Sequence, residues 1–140
     1  MTEWLENVLL RIRRFEGWSP KPYTDSTGHL TIGYGTNIER ISTKEGKLLL
    51  VARITDILRY DIPNLPEYEG LSDNRKAVYL DMLYNLGLKK FKGFKKMRHA
   101  VINERWGEAA DQILDSLYAE QVGKEKGQRA YENARLMRQG

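Results

Sequence analysis

The sequence predicts an α+β fold that is mostly helical, and two contrasting periodicities carry that prediction. Apolar residues recur at steps of three and four in the opening segment and again through most of the chain beyond Gly70. One stretch, His29-Leu30-Thr31-Ile32-Gly33-Tyr34-Gly35, instead alternates with a period of two, and it follows the turn sequence Asp25-Ser26-Thr27-Gly28. A single small hairpin set among helices follows from those patterns.

Taken in order, Thr2 can cap a first helix running to about Phe15, with Leu5, Leu9 and Ile12 on one face. Trp4 sits at a helical apolar position and is expected in a core. One further step of four lands on Glu16, so a carboxylate ends an apolar stripe. Two prolines, Pro20 and Pro22, precede a first strand that ends at Asp25. In the second strand Leu30, Ile32 and Tyr34 share one face, expected to pack inward. His29, Thr31 and Gly33 share the other, expected to face outward. Gly33 and Gly35 would let backbone or ligand approach closely. Ser42 with Glu45 three positions on is a capping-box signature, and an apolar helix, Leu48 to Leu58, should end before Pro63. Pro63, Pro66 and Gly70 read as a linker-like loop. Beyond it, Ser72 caps a helix carrying Val78, Met82 and Leu86 that stops at Gly87. Phe94, Met97 and Val101 mark another helix, and Trp106, Ala110, Ile113 and Leu117 a third. A last helix, softened by Gly123 and Gly127, brings Arg129, Arg135 and Arg138.

The 140 residues suffice for one domain, or for two small lobes sharing a helix. With no cysteine, disulfides, thiolate metal sites and cysteine nucleophiles are excluded. His29 and His99 have no partner at ligand spacing, so neither a metal nor a cofactor is expected. A net charge of +4 and a pI near 9.3 favour encounter with polyanions without choosing among them. No apolar run approaches the roughly 20 residues of a membrane span. Glu3 and Glu6 precede the apolar positions and basic residues follow, the reverse of a signal peptide, which predicts a chain made in the cytoplasm.

The chemistry is expected between Glu16 and Gly35. Taken singly, Glu16 reads as a fraying helix end, Asp25 as a turn aspartate and Thr31 as a β-branched strand residue. Together they read differently. A helix C-terminus and an apolar surround both favour a protonated carboxyl, which a general acid requires, although Arg13 and Arg14 oppose this. A second, ionised carboxylate facing it completes the minimum apparatus for hydrolysing a glycosidic bond. The hydroxyl of Thr31 is suited to hold a water. The run Lys89 to His99 could form a nucleic-acid surface, but its phenylalanines read better as core anchors and its lysines as a solvated face. Trp18, in a loop beside Glu16, is open to either reading, a core aromatic or a ring that stacks on a sugar.

Glu16-Gly17, then Y-x-D-x-x-G at Tyr23 to Gly28, then T-I-G-x-G at Thr31 to Gly35, resemble the T-even-phage type of lysozyme, the phage muramidases or endolysins. The Glu-to-Asp spacing of nine and the Asp-to-Thr spacing of six match that family's catalytic motif. Tyr84-Asn85-Leu86-Gly87, Gly93-Phe94, Arg105-Trp106 and Arg129-Ala130 extend the likeness over nearly the whole chain. The resemblance implies a lysozyme-like fold in one domain: a hairpin lobe at about 16–41, a connecting helix at about 42–60, and a helical lobe at about 61–140 joined by helix 2–15, with a cleft between the lobes. It implies hydrolysis of the β-1,4 bond between N-acetylmuramic acid and N-acetylglucosamine in peptidoglycan, with inversion and without a cofactor. Glu16 would be the general acid, Asp25 the carboxylate that positions or activates water, and Thr31 the third member. Tyr84 and Asn85 would bind substrate, and Arg129 would match a basic residue facing the acid.

Two departures stand out. Thr36 follows Gly35 where the family usually has a histidine, and the short segment between Asn37 and Ser42 leaves no room for a small helix. As a monomeric endolysin the chain would wait in the host cytoplasm and reach the wall through a holin-like membrane permeabiliser or on lysis. A catalytically silent saccharide-binding module and a basic nucleic-acid-binding protein are the rival readings.

Overall fold

The first helix, α1 (Glu3–Glu16), begins where the sequence places it. In the computed structural model, which describes Met1–Gly140, the Thr2 hydroxyl accepts a hydrogen bond from the Leu5 N–H at 3.3 Å. Acids in the first turn and Arg13 and Arg14 in the last complement the helix dipole. Gly17, at φ 71°, ends the helix and donates its N–H to the Arg13 carbonyl. About two thirds of the residues are helical and three strands form one small antiparallel sheet, the α+β class expected. The chain divides into two compact units, Met1–Leu49 and Leu50–Gly140.

Within Met1–Leu49, α1 is followed by β1 (Ser19–Thr24), β2 (Leu30–Gly33) and β3 (Thr36–Asn37), in the order β1-β2-β3. Thr24 pairs with Leu30 and Tyr23 with Thr31, and the register then shifts before Ser19 meets Gly33. Pro20 and Pro22 lie in that shifted segment; they have no N–H to give a ladder, and an edge strand is where sheets tolerate them. The two-residue β3 is too short to show a period, and its presence changes the reading of the hairpin. It makes β2 the central strand, with Thr31 flanked by Tyr23 on one side and Asn37 on the other. Thr31 is consequently buried, whereas Leu30 and Tyr34 are exposed, the reverse of the expectation at these three positions; Ile32 is half-buried and His29 exposed, as expected. Directly opposed side chains shelter one another, and here that outweighs the apolarity of the alternate positions. Within this unit neither Trp4 nor any other residue of α1 is buried. The Asn37–Ser42 connection forms no helix.

The predicted capping box opens α2 (Thr43–Asp56). The Ser42 N–H donates to Glu45 Oε1 at 3.0 Å and the Glu45 N–H to Ser42 Oγ at 3.1 Å. A π-helical turn, Ile57–Asp61, follows, and then two 3-10 turns, Ile62–Asn64 and Pro66–Gly70. The segment read as a linker is therefore ordered helix with a buried face. Ile62, Leu65, Tyr68 and Leu71 are all buried, and each N–H from Leu65 onward bonds the carbonyl three residues back. A spacing of three matches the 3-10 period, so all four apolar side chains fall on one side. Pro63 and Pro66 stand at the starts of their turns, where a missing N–H costs nothing.

Leu50–Gly140 builds its core around α3 (Asp73–Leu86), capped by Ser72, with Val78, Tyr79, Met82 and Leu83 buried. It ends at Gly87, φ 79°, as expected. The short α4 (Leu88–Lys92) buries Phe91, and α5 (Lys95–Ile102) buries Met97, Ala100 and Val101. Phe94 lies between these two helices and not inside one. The helix expected to run from Trp106 through Leu117 is two helices, α6 (Trp106–Leu114) and α7 (Leu117–Val122). Ser116 makes the break: its hydroxyl donates to the Ile113 carbonyl at 2.6 Å and accepts the Ala119 N–H at 3.1 Å. Leu117, just past the break, is 73% exposed. The final helix, α8 (Arg129–Gln139), packs on α6 and α3. Its end is tied down by Arg75, which donates to the Met137 and Arg138 carbonyls at 2.8 and 3.3 Å and lies 3.7 Å from the centre of the half-buried Trp106 ring. Inside the unit, Arg98 forks onto Glu67 at 2.6 and 3.2 Å, and the Tyr79 hydroxyl donates to the same carboxylate. Burial pushes the Glu67 carboxyl up, but the Arg98 bonds more than offset it and hold it below the usual glutamate range.

Candidate active site

Glu16, Asp25 and Thr31 all lie in Met1–Leu49, on the end of α1, at the hairpin turn and on the central strand. Glu16 is exposed, and its side chain accepts no hydrogen bond from the chain. With Gly17, Trp18, Ser19 and Tyr23 it lines an open depression of about 330 Å³. The apolar surround expected from Leu5, Leu9 and Ile12 is not supplied within this unit, because none of the three is buried. What positions the carboxyl is Gly35. A Cβ placed on Gly35 would stand 2.7 Å from Glu16 Cδ and 3.2 Å from its Cγ, so the acid side chain lies directly against bare backbone. Gly35 also adopts φ +76°, which favours glycine. The close approach expected at this glycine is therefore made by the acid itself.

Around that contact the aromatic residues form a small cluster of tilted rings. The Trp18 and Tyr34 ring centres are 4.9 Å apart, and Arg13 both caps the Tyr34 ring at 4.9 Å and donates to its hydroxyl at 3.0 Å. Trp18 stays 64% exposed, consistent with a ring that can stack on a ligand. Arg13 is thus engaged with Tyr34, a partner 21 positions away that helical spacing does not reveal.

Asp25 divides its work between its two carboxylate oxygens. Oδ1 accepts three hydrogen bonds, from the Thr27 N–H at 2.9 Å, the Thr27 hydroxyl at 2.8 Å and the His29 N–H at 2.9 Å. Oδ2 accepts none from the chain. The turn is closed as well by the Asp25 N–H on the His29 carbonyl. The His29 N–H, and after it the Thr27 hydroxyl, hold the Asp25 carboxyl below the usual aspartate range. Asp25 is therefore both the turn residue and an ionised carboxylate with one oxygen unengaged. Thr31, buried on β2, donates its hydroxyl proton to the His29 carbonyl at 2.9 Å, so its oxygen can act toward a water only as acceptor. Glu39 was not singled out in the sequence, yet it accepts the Leu30 N–H at 3.0 Å and approaches the His29 ring at 3.4 Å, bracing the strand that carries Thr31.

The remaining candidates lie in Leu50–Gly140. Tyr84 and Asn85 are exposed in the last turn of α3. Arg129, at the start of α8, donates Nε and Nη2 to the two oxygens of Asp81 at 2.9 and 2.8 Å. Asn133 adds a bond to Asp81 at 2.8 Å and another to the Tyr118 hydroxyl at 3.0 Å. Burial raises the Asp81 carboxyl, and Arg129 with Asn133 brings it below its usual range. Asp81 escaped the sequence reading; the signal that could have found it is a lone acid between Leu80 and Met82 in an apolar helix.

The family model described as phage lysozyme matches residues 13–133, a span that contains every residue named as a site candidate above. A search of curated proteins finds no match.

Proposed function

The chain belongs to the phage lysozyme family, and from that premise we propose that it hydrolyses the β-1,4 bond between N-acetylmuramic acid and N-acetylglucosamine in peptidoglycan, with inversion. Glu16 protonates the leaving sugar oxygen. Asp25, through its free Oδ2, takes a proton from the water that attacks the opposite ring face, and the Thr31 oxygen helps to place that water. An inverting reaction requires the two carboxyl groups to stand roughly 6.5–9.5 Å apart, leaving room for the water. The observation that carries the reading is the asymmetry of Asp25, whose Oδ1 is consumed by the turn while Oδ2 is left open. Trp18, Tyr84 and Asn85 are exposed and are assigned to the glycan, with Arg129 oriented for it by Asp81. In this proposal the chain acts as a monomeric endolysin that reaches the wall through a separate permeabilising protein or on lysis; no helix is long and apolar enough to cross a membrane.

Digestion of purified peptidoglycan in isotopically labelled water tests the bond and the stereochemistry together. The expected products are muropeptides with a reducing N-acetylmuramic acid end that carries the label and appears first as the α anomer. Reducing N-acetylglucosamine ends or anhydro ends would refute the bond assignment. An initial β anomer would refute inversion, and no products at all would leave a silent binding module.

The Gly35 contact supplies a second expectation. Alanine at 35 places a methyl where the Glu16 carboxyl now lies, and displacing a catalytic group by about an ångström costs on the order of a hundredfold in turnover. The positive φ adds roughly 1–2 kcal/mol of destabilisation. Turnover measured well below the unfolding temperature should fall far more than substrate affinity; a wild-type kcat would show that the contact does not position the acid.

A further inference from the structure

We propose that the lysine-rich α4–α5 segment of Leu50–Gly140 is a docking surface for bilayers rich in anionic phospholipid. Lys89, Lys90, Lys92, Lys95 and Lys96 fall within eight positions, all are exposed, and none forms an ion pair. No acidic residue occurs between Asp81 and Glu104, so this stretch carries positive charge without local compensation. The charge sits beside apolar surface. Lys90, Lys95 and Lys96 rim an open groove of about 610 Å³ whose walls include Leu86, Phe94 and Leu117, with Asp115 as its single acid. Leu117 projects 73% exposed from the break between α6 and α7.

Cations and an exposed aliphatic side chain on one face are what an interfacial anchor requires. The ammonium groups meet lipid phosphates while the lysine stems and Leu117 enter the headgroup boundary. Nucleic acid fits this face less well. Phe91 is fully buried and Phe94 is packed against the core, so the run offers no stacking platform for bases. Its single arginine, Arg98, is committed to Glu67.

Flotation of the full chain with phosphatidylglycerol-containing vesicles tests the proposal. Binding should be strong on these vesicles, weak on phosphatidylcholine alone, and released by salt. Each lysine near an anionic surface contributes about fivefold, so the triple substitution K90E/K95E/K96E should weaken binding by at least about a hundredfold. Leu117→Asp should weaken it by about tenfold. Circular dichroism checks that the variants fold, and Glu16→Gln, which leaves this surface untouched, should bind like the wild type. Equal binding to neutral vesicles, salt-insensitive binding, or undiminished binding by the folded triple variant would overturn the proposal. Retention on duplex DNA in preference to anionic vesicles at the same salt would overturn it in favour of a nucleic-acid surface.

Discussion

Glu16→Gln is expected to lower peptidoglycan hydrolysis by about 10²–10⁴-fold, the usual contribution of a general acid, while leaving the fold intact. The amide keeps the size and position of the carboxyl but has no acidic proton to give the leaving sugar. Stability should move by less than about 0.5 kcal/mol, because the side chain is exposed and accepts no hydrogen bond from the chain. Turbidity loss of permeabilised cells, measured beside thermal unfolding, separates the two effects. A variant that clears cells at the wild-type rate would remove Glu16 from the mechanism. A variant that unfolds would point instead to a structural role at the end of α1.

Asp25→Asn should produce a loss of similar size by a different route. The asparagine oxygen can still accept the Thr27 and His29 bonds that Oδ1 now takes, so the turn survives. The amide nitrogen then replaces the free Oδ2, and the proton acceptor for the attacking water is gone. Asp25→Ala would remove both functions, and comparing the two variants distinguishes base from turn residue. If asparagine retains turnover while alanine unfolds the hairpin, Asp25 is only a turn residue. The pH profile offers an independent check. Because the folded carboxyl titrates below the usual aspartate range, it stays ionised to lower pH than a free aspartate and loses its charge only as pH falls through that lowered value. The acid limb of kcat/KM should therefore lie below the ordinary aspartate pKa of about 3.9. An acid limb near pH 6 would assign the base elsewhere.

The readings that hold concern groups close together in the chain. Thr2 with Leu5, Ser42 with Glu45, and Ser72 with Arg75 are caps formed over three positions, and the side chains and N–H groups that satisfy them are visible in the order of the residues. Gly87 stops its helix for the same local reason. Ile62, Leu65, Tyr68 and Leu71 were legible too, but only to a search for a period of three. Prolines suggested a linker, and that masked a 3-10 face that the core covers. Ser116 is a similar case, since a cap inside an apolar helical pattern divides α6 from α7.

By itself, the sequence determined the capped starts of α1, α2 and α3, the stop at Gly87, the hairpin turn, and the Glu16, Asp25 and Thr31 spacing that resembles the family's motif. Each rests on bonds or identities read within a few positions, where chain connectivity already constrains the geometry. Tertiary structure decided which faces are covered and which distant groups meet. It buried Thr31 on the central strand between Tyr23 and Asn37, set Glu16 against Gly35 and gave Arg129 to Asp81, 48 positions away. Those outcomes depend on how strands and helices are brought alongside one another, and neither residue order nor periodicity records that.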